Sequence, residues 1–433
     1  MTYSGRFLAL AAVVGVLTGL LSTGFQVGIA LVIGGYAAVV RRTAEIGVPG
    51  WIVAASLSAV MVSAAVLILR RIAPEAAGSG IHEVEAHIDG VRPLRWKRVL
   101  PVKFVGGILA LGANLTVGPE GPVVHMGGAV GRMLADRFHL RGEHGKALVC
   151  AGAGAGIAAV FNAPLAGFLF VLEQMRRHFS LTVVSFHGLV LACVSAAIVT
   201  ALFFGQGPAF PIKDYPTPAL LDLTLFVALG AGIGAAGTLF NRVLITTIEV
   251  FERVRRWRPL VVAPMIGAAT GVLVVVLPHG VGSGQALTLK LFLEPFGWQM
   301  LVLLLVVRLL TTLVSYAAEA PGGIFAPLLA IGAITGLAFG QLFGALFPGL
   351  VAEPGVYALA AMGALFAATL RIPLTAIVLV IEITNNVGVS LAIIASCLAA
   401  SLAAQALGAK PLYEDLLERL IARQKRHLGE GEG

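Results

Sequence analysis

Three short motifs occur twice along this 433-residue chain, in the same order, and that duplication limits its possible folds more than any single residue. Gly78-Ser79-Gly80 returns as Gly282-Ser283-Gly284. Gly118-Pro119-Glu120-Gly121-Pro122, trailed by Gly127 and Gly131, returns as Gly323-Ile324-Phe325-Ala326-Pro327, trailed by Gly332 and Gly336. Asn162-Ala163-Pro164-Leu165 leading to Glu173 returns as Arg371-Ile372-Pro373-Leu374 leading to Glu382. The offsets are 204, 205 and 209 positions, so the halves align with a few inserted residues. Two copies of one apolar unit mark a transporter or channel, whose site lies where interrupted helices of the copies meet.

That the unit is apolar follows from composition: 58% of residues are hydrophobic, 12% are charged, and the mean hydropathy is +0.94. A soluble fold is excluded and an integral membrane protein is expected. Runs able to cross a bilayer cover 7–40, 50–69, 99–117, 181–205, 219–247, 259–277, 297–318, 328–348 and 387–409. The first follows Arg6, is too long for a signal-peptide core and lacks a small-residue cleavage site, so it is expected to remain as the first membrane helix. Runs around Pro164 and Pro373 are cut by proline, and those around Gly118 and Gly322 begin with Gly and Pro clusters. Such segments suit half-helices that stop inside the membrane, where protein or a water-filled cavity satisfies the freed backbone groups. The expected fold class is all-α, with re-entrant pieces.

The net charge of +8 is scattered in pairs such as Arg41-Arg42, Arg70-Arg71, Lys97-Arg98 and Arg176-Arg177. These anchor helices at lipid headgroups and do not form a nucleic-acid patch. The Arg92 to Arg98 stretch and the tail with Arg419, Arg423, Lys425 and Arg426 lean toward the cytoplasm. Cys150, Cys193 and Cys397 lie far apart in apolar segments and are expected to be buried thiols. Beyond Gly408 one amphipathic stretch, Lys410 to His427, leaves room for a short helix and tail only.

Each duplicated Gly-rich segment ends where an apolar helix begins, and a helix start offers unpaired N–H groups with partial positive charge. That favours an anion. Three starts, after Ser79, at Pro119 to Glu120 and at Ile324 to Phe325, converge if the halves are inverted relative to each other; the plainer alternative is helix caps and packing glycines. Glu120, just inside such a start, is itself an anion: ionised it can take the seat of a transported anion, protonated it can swing out, so one proton trades against one anion. The alternative is an ordinary first-turn glutamate. Ser79 as an N-cap and Tyr413 as an interfacial anchor are likewise open.

A cation-coupled transporter has candidates in Glu120, Glu173, Glu319 and Glu382, but the motifs start helices rather than end them, which disfavours cations. An enzyme is not expected, since there is no Gly-x-Ser-x-Gly and no ligand cluster. His82-Glu83-Val84-Glu85-Ala86-His87 approaches a zinc-protease pattern, but its histidines are five apart, about 140° around a helix, and share no metal. Glu83 and His87 are expected on a polar face toward the cytoplasm, and His82 is placed to sense pH.

Gly78-Ser79-Gly80-Ile81, Gly118-x-Glu120-Gly121-Pro122, Gly322-Gly323-Ile324-Phe325-Ala326-Pro327 and Lys410-Pro411-Leu412-Tyr413 resemble the four pore motifs of the CLC chloride channels and transporters. The resemblance extends to Pro93–Lys103, Phe161–Gly167 and Pro373-Leu374-Thr375. It implies two inverted-topology repeats of tilted and re-entrant helices in a membrane domain of residues 1–410, repeat one about 50–205 and repeat two about 219–409, with 411–433 as a short cytoplasmic helix and tail. It further implies a homodimer with a pathway in each subunit, both termini cytoplasmic, in a bacterial inner membrane. Ser79 and Tyr413 hydroxyls and the Ile324 and Phe325 N–H groups would surround a chloride beside Gly121, with Glu120 as outer gate. Chloride is the transported ligand, and no cofactor is expected.

Three departures from the pattern bear on mechanism. Gln174 stands where proton-coupled members carry an inner glutamate; neighbouring Glu173 can substitute, though it points about 100° away, or it simply marks a helix terminus. Pro119 replaces an arginine and removes a charge and a backbone donor. His82 replaces a proline, and Glu319 precedes Ala320-Pro321-Gly322-Gly323; the loss of the inner glutamate at Gln174 with the gain of Glu319 is similar to the fluoride-exporting branch, whereas Ser79 and Tyr413 resemble the chloride type. The expectation is chloride transport, by proton exchange or uncoupled conduction, with fluoride export as the alternative.

Overall fold

Apolar backbone in a membrane satisfies its polar groups only within helices, and the chain folds accordingly. The computed structural model describes residues 3–175, 179–257, 261–348 and 353–429, so Arg176-Arg177 lie outside the described residues. The first eight helices are α1 (Tyr3–Glu45), α2 (Gly50–Ile72), α3 (Ile81–Ile88), α4 (Trp96–Gly112), α5 (Glu120–Arg137), α6 (Gly142–Phe161), α7 (Pro164–Phe170), which runs into a π-turn over Val171–Met175, and α8 (Val183–Phe204). The next eight are α9 (Leu223–Trp257), α10 (Val262–Val276), α11 (Gln285–Leu293), α12 (Trp298–Ala317), α13 (Phe325–Leu346), α14 (Pro354–Leu370), α15 (Pro373–Thr384) and α16 (Ser390–Ala406); α17 (Leu412–Gly429) follows. Among the described residues, eight helices are long and apolar enough to cross a membrane.

Stop signals recur in both halves. α6 ends on Asn162 and α14 on Arg371, both left-handed at φ 52° and 64°, and Pro164 and Pro373 then open α7 and α15. A left-handed residue closes a helix, and a proline at the first position of the next loses no helical hydrogen bond. The same local chemistry therefore produces the same break twice. α3 and α11 each start after a left-handed glycine, Gly80 and Gly284.

Packing repeats the pattern. α1 lies on α8 as α9 lies on α16, and α5 on α6 as α13 on α14, while α2 packs on α10 and α7 on α15, each against its own counterpart. α6 and α14, rich in Gly and Ala, are buried along most of their length and form the centre. Small side chains let such helices approach closely where no hydrophobic effect drives association. The three cysteines are buried, free thiols.

Two sequence readings change. Arg419 and Arg423 do not stand in a free basic tail: from α17, Arg419 pairs with Glu249 of α9 and with Asp415 of its own helix, and Arg423 pairs with Glu252 of α9. The acidic partners on α9 were invisible as such because about 170 residues separate them. Glu83 and His87 also turn inward, Glu83 to Arg92 at 2.9 Å and His87 Nδ1 to the Leu94 N–H at 3.1 Å, which ties the α3–α4 connection.

Candidate functional site at the junction of the two halves

The duplicated motifs meet each other. Gly118 and Gly323 exchange both backbone hydrogen bonds at 2.7 Å, although 205 positions separate them, the same offset that relates their motifs. Gly78 N–H donates to Glu319 O at 3.3 Å, and its counterpart Gly282 N–H donates to Asn114 O at 2.9 Å; Glu319 and Asn114 are both left-handed. Glu173 accepts from the N–H groups of Leu374 and Thr375, and Glu382 from those of Leu165 and Ala166. When i meets j′ and i′ meets j, the two copies are related by a two-fold operation, the arrangement of inverted repeats.

Three helix starts face this junction. α3 begins just past Ser79, α5 at Glu120 and α13 at Phe325, whose N-cap is Ile324. A Cβ added to Gly121 would lie 2.8 Å from Ser79 Cα and Cβ and 3.0 Å from Gly323 Cα, so all three segments touch at a residue that has to be glycine. Ser79, Glu120, Ile324 and Tyr413 are fully buried and Phe325 nearly so. Ser79 Oγ also accepts from the N–H of Ile81, the first residue of α3, at 3.3 Å, while the N-cap position itself is the left-handed Gly80.

The Glu120 side chain reaches from the start of α5 to the start of α13. Its Oε2 accepts from Ala326 N–H at 3.5 Å and lies against Gly118, where any side chain would collide with it; Oε1 has no partner. A carboxylate thus occupies the partially positive end of a helix in the other half. The Tyr413 hydroxyl, at the first turn of α17, lies beside Ser79 without a hydrogen-bond partner, and its ring is 6.1 Å from that of Phe325. A small anion in the Glu120 carboxylate's place would find the same N–H groups with two hydroxyls nearby.

Other residues singled out from sequence fall around this core. Pro119 is the N-cap of α5, where a missing N–H removes no helical bond. His82, in the first turn of α3, is half-buried with its Nδ1 enclosed and unpartnered, and lines a cavity of about 580 Å³ together with Gly78, Tyr316, Arg255 and Arg423. Glu319 is held by Arg70 at 3.1 Å and Arg255 at 2.6 Å. Glu173 caps α15, and Gln174 donates to Glu85 at 2.8 Å.

Sequence reasoning missed two buried cations. Lys103 Nζ donates to the carbonyls of Ala76 and Gly78 at 2.9 and 2.6 Å, and Arg308 donates to those of His279, Val281 and Gly282 at 2.7–2.8 Å. Each binds carbonyls just before and at the first glycine of a Gly-Ser-Gly turn and so holds the start of α3 or α11 in place. Their signal was present as a lone cation inside an apolar run of each half, again 205 positions apart. Tyr316, whose hydroxyl is buried beside Gly78, carried no such signal.

The family model described as voltage gated chloride channel matches residues 59–405. The chain is 44% identical over 428 residues to the H(+)/Cl(-) exchange transporter ClcA of Vibrio cholerae serotype O1, covering 96% of this chain and 90% of that protein. It superposes on the crystal structure of a slow cyanobacterial Cl-/H+ antiporter with a TM-score of 0.93 at 39% identity, over 97% of this chain and 99% of that one. A CLC-type fluoride/proton antiporter shares the fold alone, with a TM-score of 0.76 at 20% identity over 94% and 97%. Inverted halves, convergent helix starts and these likenesses together place the chain in the voltage gated chloride channel family, as an integral membrane protein.

Proposed function

We propose that this protein moves chloride across a membrane in exchange for protons, with Glu120 as the gate that couples the two. The observation that carries this reading is the buried Glu120 carboxylate at the start of α13, Oε2 toward Ala326 N–H. Ionised, the carboxylate satisfies the helix end and excludes chloride. Protonated, it loses the attraction of that positive end, leaves, and chloride takes its seat among the N–H groups of Ile324 and Phe325 and the hydroxyls of Ser79 and Tyr413, against Gly121. Because N–H dipoles and hydroxyls hold the ion without a fixed cation, it can also depart.

Relatives named as H(+)/Cl(-) exchangers over nearly the whole length support chloride and protons as the transported pair. A cavity of about 580 Å³ that reaches Gly78 from the α17 side supports a route to the junction; Arg92, Arg255, Arg419 and Arg423 line it, each paired with a carboxylate, so its lining is polar rather than free positive charge. Fluoride is the weaker reading, because Glu319, the residue that suggests it, is engaged by Arg70 and Arg255. We place the protein in a bacterial inner membrane, as a homodimer with one pathway per subunit, the first unit including α1, and assign it no enzymatic activity and no cofactor.

Chloride and pH followed together in liposomes test the proposal. An imposed chloride gradient should drive protons the opposite way, and Glu120→Gln should retain chloride flux while abolishing proton movement. Chloride flux without proton movement in the native protein refutes exchange, and fluoride carried far faster than chloride refutes the substrate.

A further inference from the structure

We infer that Glu85 is the carboxyl group that takes up protons from the α17 side and passes them toward Glu120, with Gln174 positioning it. This rests on the exchange reading above, which requires a proton acceptor on the side away from the gate, and Gln174 cannot be one. The Gln174 side chain instead donates from Nε2 to Glu85 Oε1 at 2.8 Å. Glu85, on α3 six residues past Ser79, is 1% exposed, and no cation pairs with it among the described residues. A carboxylate placed so deeply with a single neutral side-chain donor has no evident structural duty.

Two further observations supply a route. A cavity of about 390 Å³ is lined by Glu85, Gln174, Arg371 and Glu414, and extends to Glu418, whose side chain is about half exposed. Tyr413, at the first turn of α17, is near enough to interact electrostatically with both Glu85 and Glu120, so one side chain neighbours both carboxylates. Around Glu85 the titratable or charged groups are Asp89 on α3, Tyr413, Glu414 and Glu418 on α17, Arg371 at the end of α14, the Cys150 thiol on α6 and Glu173 beside Gln174. His125 on α5 faces Gly80, at the opposite end of α3.

Glu173 is not available for the task. Its Oε1 accepts from Leu374 N–H at 2.9 Å and its Oε2 from the N–H and hydroxyl of Thr375 at 2.6 Å, so a proton there would displace a donor that holds α15. Its counterpart Glu382 holds α7 in the same manner, which identifies the pair as symmetric caps. At Glu85 the step balances simply: a proton from solvent in the cavity binds a carboxylate oxygen, and the neutral acid later releases that proton toward Glu120 and returns to its ionised form.

Simultaneous chloride and pH recordings in liposomes test the assignment. Glu85→Gln should carry chloride within about twofold of native while proton movement falls by about tenfold or more, and Glu85→Asp should keep coupling at a reduced rate. Coupling in Glu85→Gln equal to native overturns the assignment and leaves exchange standing; absence of proton movement in the native protein overturns both. Should Glu85→Gln fail to fold, Gln174→Leu serves: removal of the amide donor should shift the pH dependence of proton movement with chloride flux kept, and an unshifted profile overturns the assignment.

Discussion

Lys103 and Arg308 occupy equivalent places in the two halves: each is buried, each donates only to backbone carbonyls, and each holds the chain at the start of a Gly-Ser-Gly segment. Their role is to spend the carbonyl partial charges on a cation so that the helix starts beyond them present only N–H groups to an anion. Lys103→Met leaves two buried carbonyls without their charged donor and should destabilise the protein by about 3 kcal/mol. Arg308→Met, which removes three such bonds, should cost more. Thermal unfolding in detergent checks both, and an unchanged transition for either would refute the role.

Gly121 marks the point of contact of three segments, and it tolerates no side chain. In Gly121→Ala the added methyl must push Ser79 or Gly323 aside, an overpacking strain of about 1–3 kcal/mol. Since those segments carry the donors, chloride affinity should fall about tenfold or more by calorimetric titration, for a loss of about 1.4 kcal/mol. Binding as tight as native would show that the donors are elsewhere.

Acidification should raise chloride turnover. The ionised Glu120 carboxylate holds the seat at α13, and lowering the pH converts it to a neutral acid that yields the seat; raising the pH does the reverse. Glu120→Gln removes the titrating group and should flatten this dependence. A native flux that rises with pH, or a variant as pH-dependent as native, contradicts the gate.

Glu382→Ala should weaken the fold and spare the coupling. The change deprives the Leu165 and Ala166 N–H groups of their acceptor at the start of α7, a cap loss of about 1–2 kcal/mol. The unfolding temperature should fall while the ratio of protons to chloride stays native. A changed ratio at native stability would place Glu382 in the proton route.

Much of this organisation was legible before any coordinates. Apolar runs located most of the long helices to within about five residues, because burial in lipid leaves the backbone no other option. However, α9 continues ten residues past its run to Trp257, and the Gly/Ala-rich α6 (Gly142–Phe161) was not among the runs expected to cross. The breaks at Pro164 and Pro373 and the starts at Glu120 and Phe325 were readable because such chemistry acts within a few residues of chain, whereas the left-handed closures on Asn162 and Arg371 emerged from the structure. Less legible were residues whose meaning lies in a distant partner. Glu173 and Gln174 adjoin in sequence, yet one caps α15 and the other holds Glu85 on α3. Arg419 and Arg423 read as a basic tail until α9 supplied their acids.

The chain by itself determined an all-helical membrane protein made of two related units with interrupted helices, since composition, periodic repetition and local stop signals are properties of short stretches of residues. Which interrupted end faces which was decided only by tertiary structure. The bonds that set it, Gly118 to Gly323 and Glu120 to Ala326, join groups more than 200 positions apart. Backbone donors and acceptors carry no residue-specific label, so only the packing of the two halves about their shared axis could select those partners.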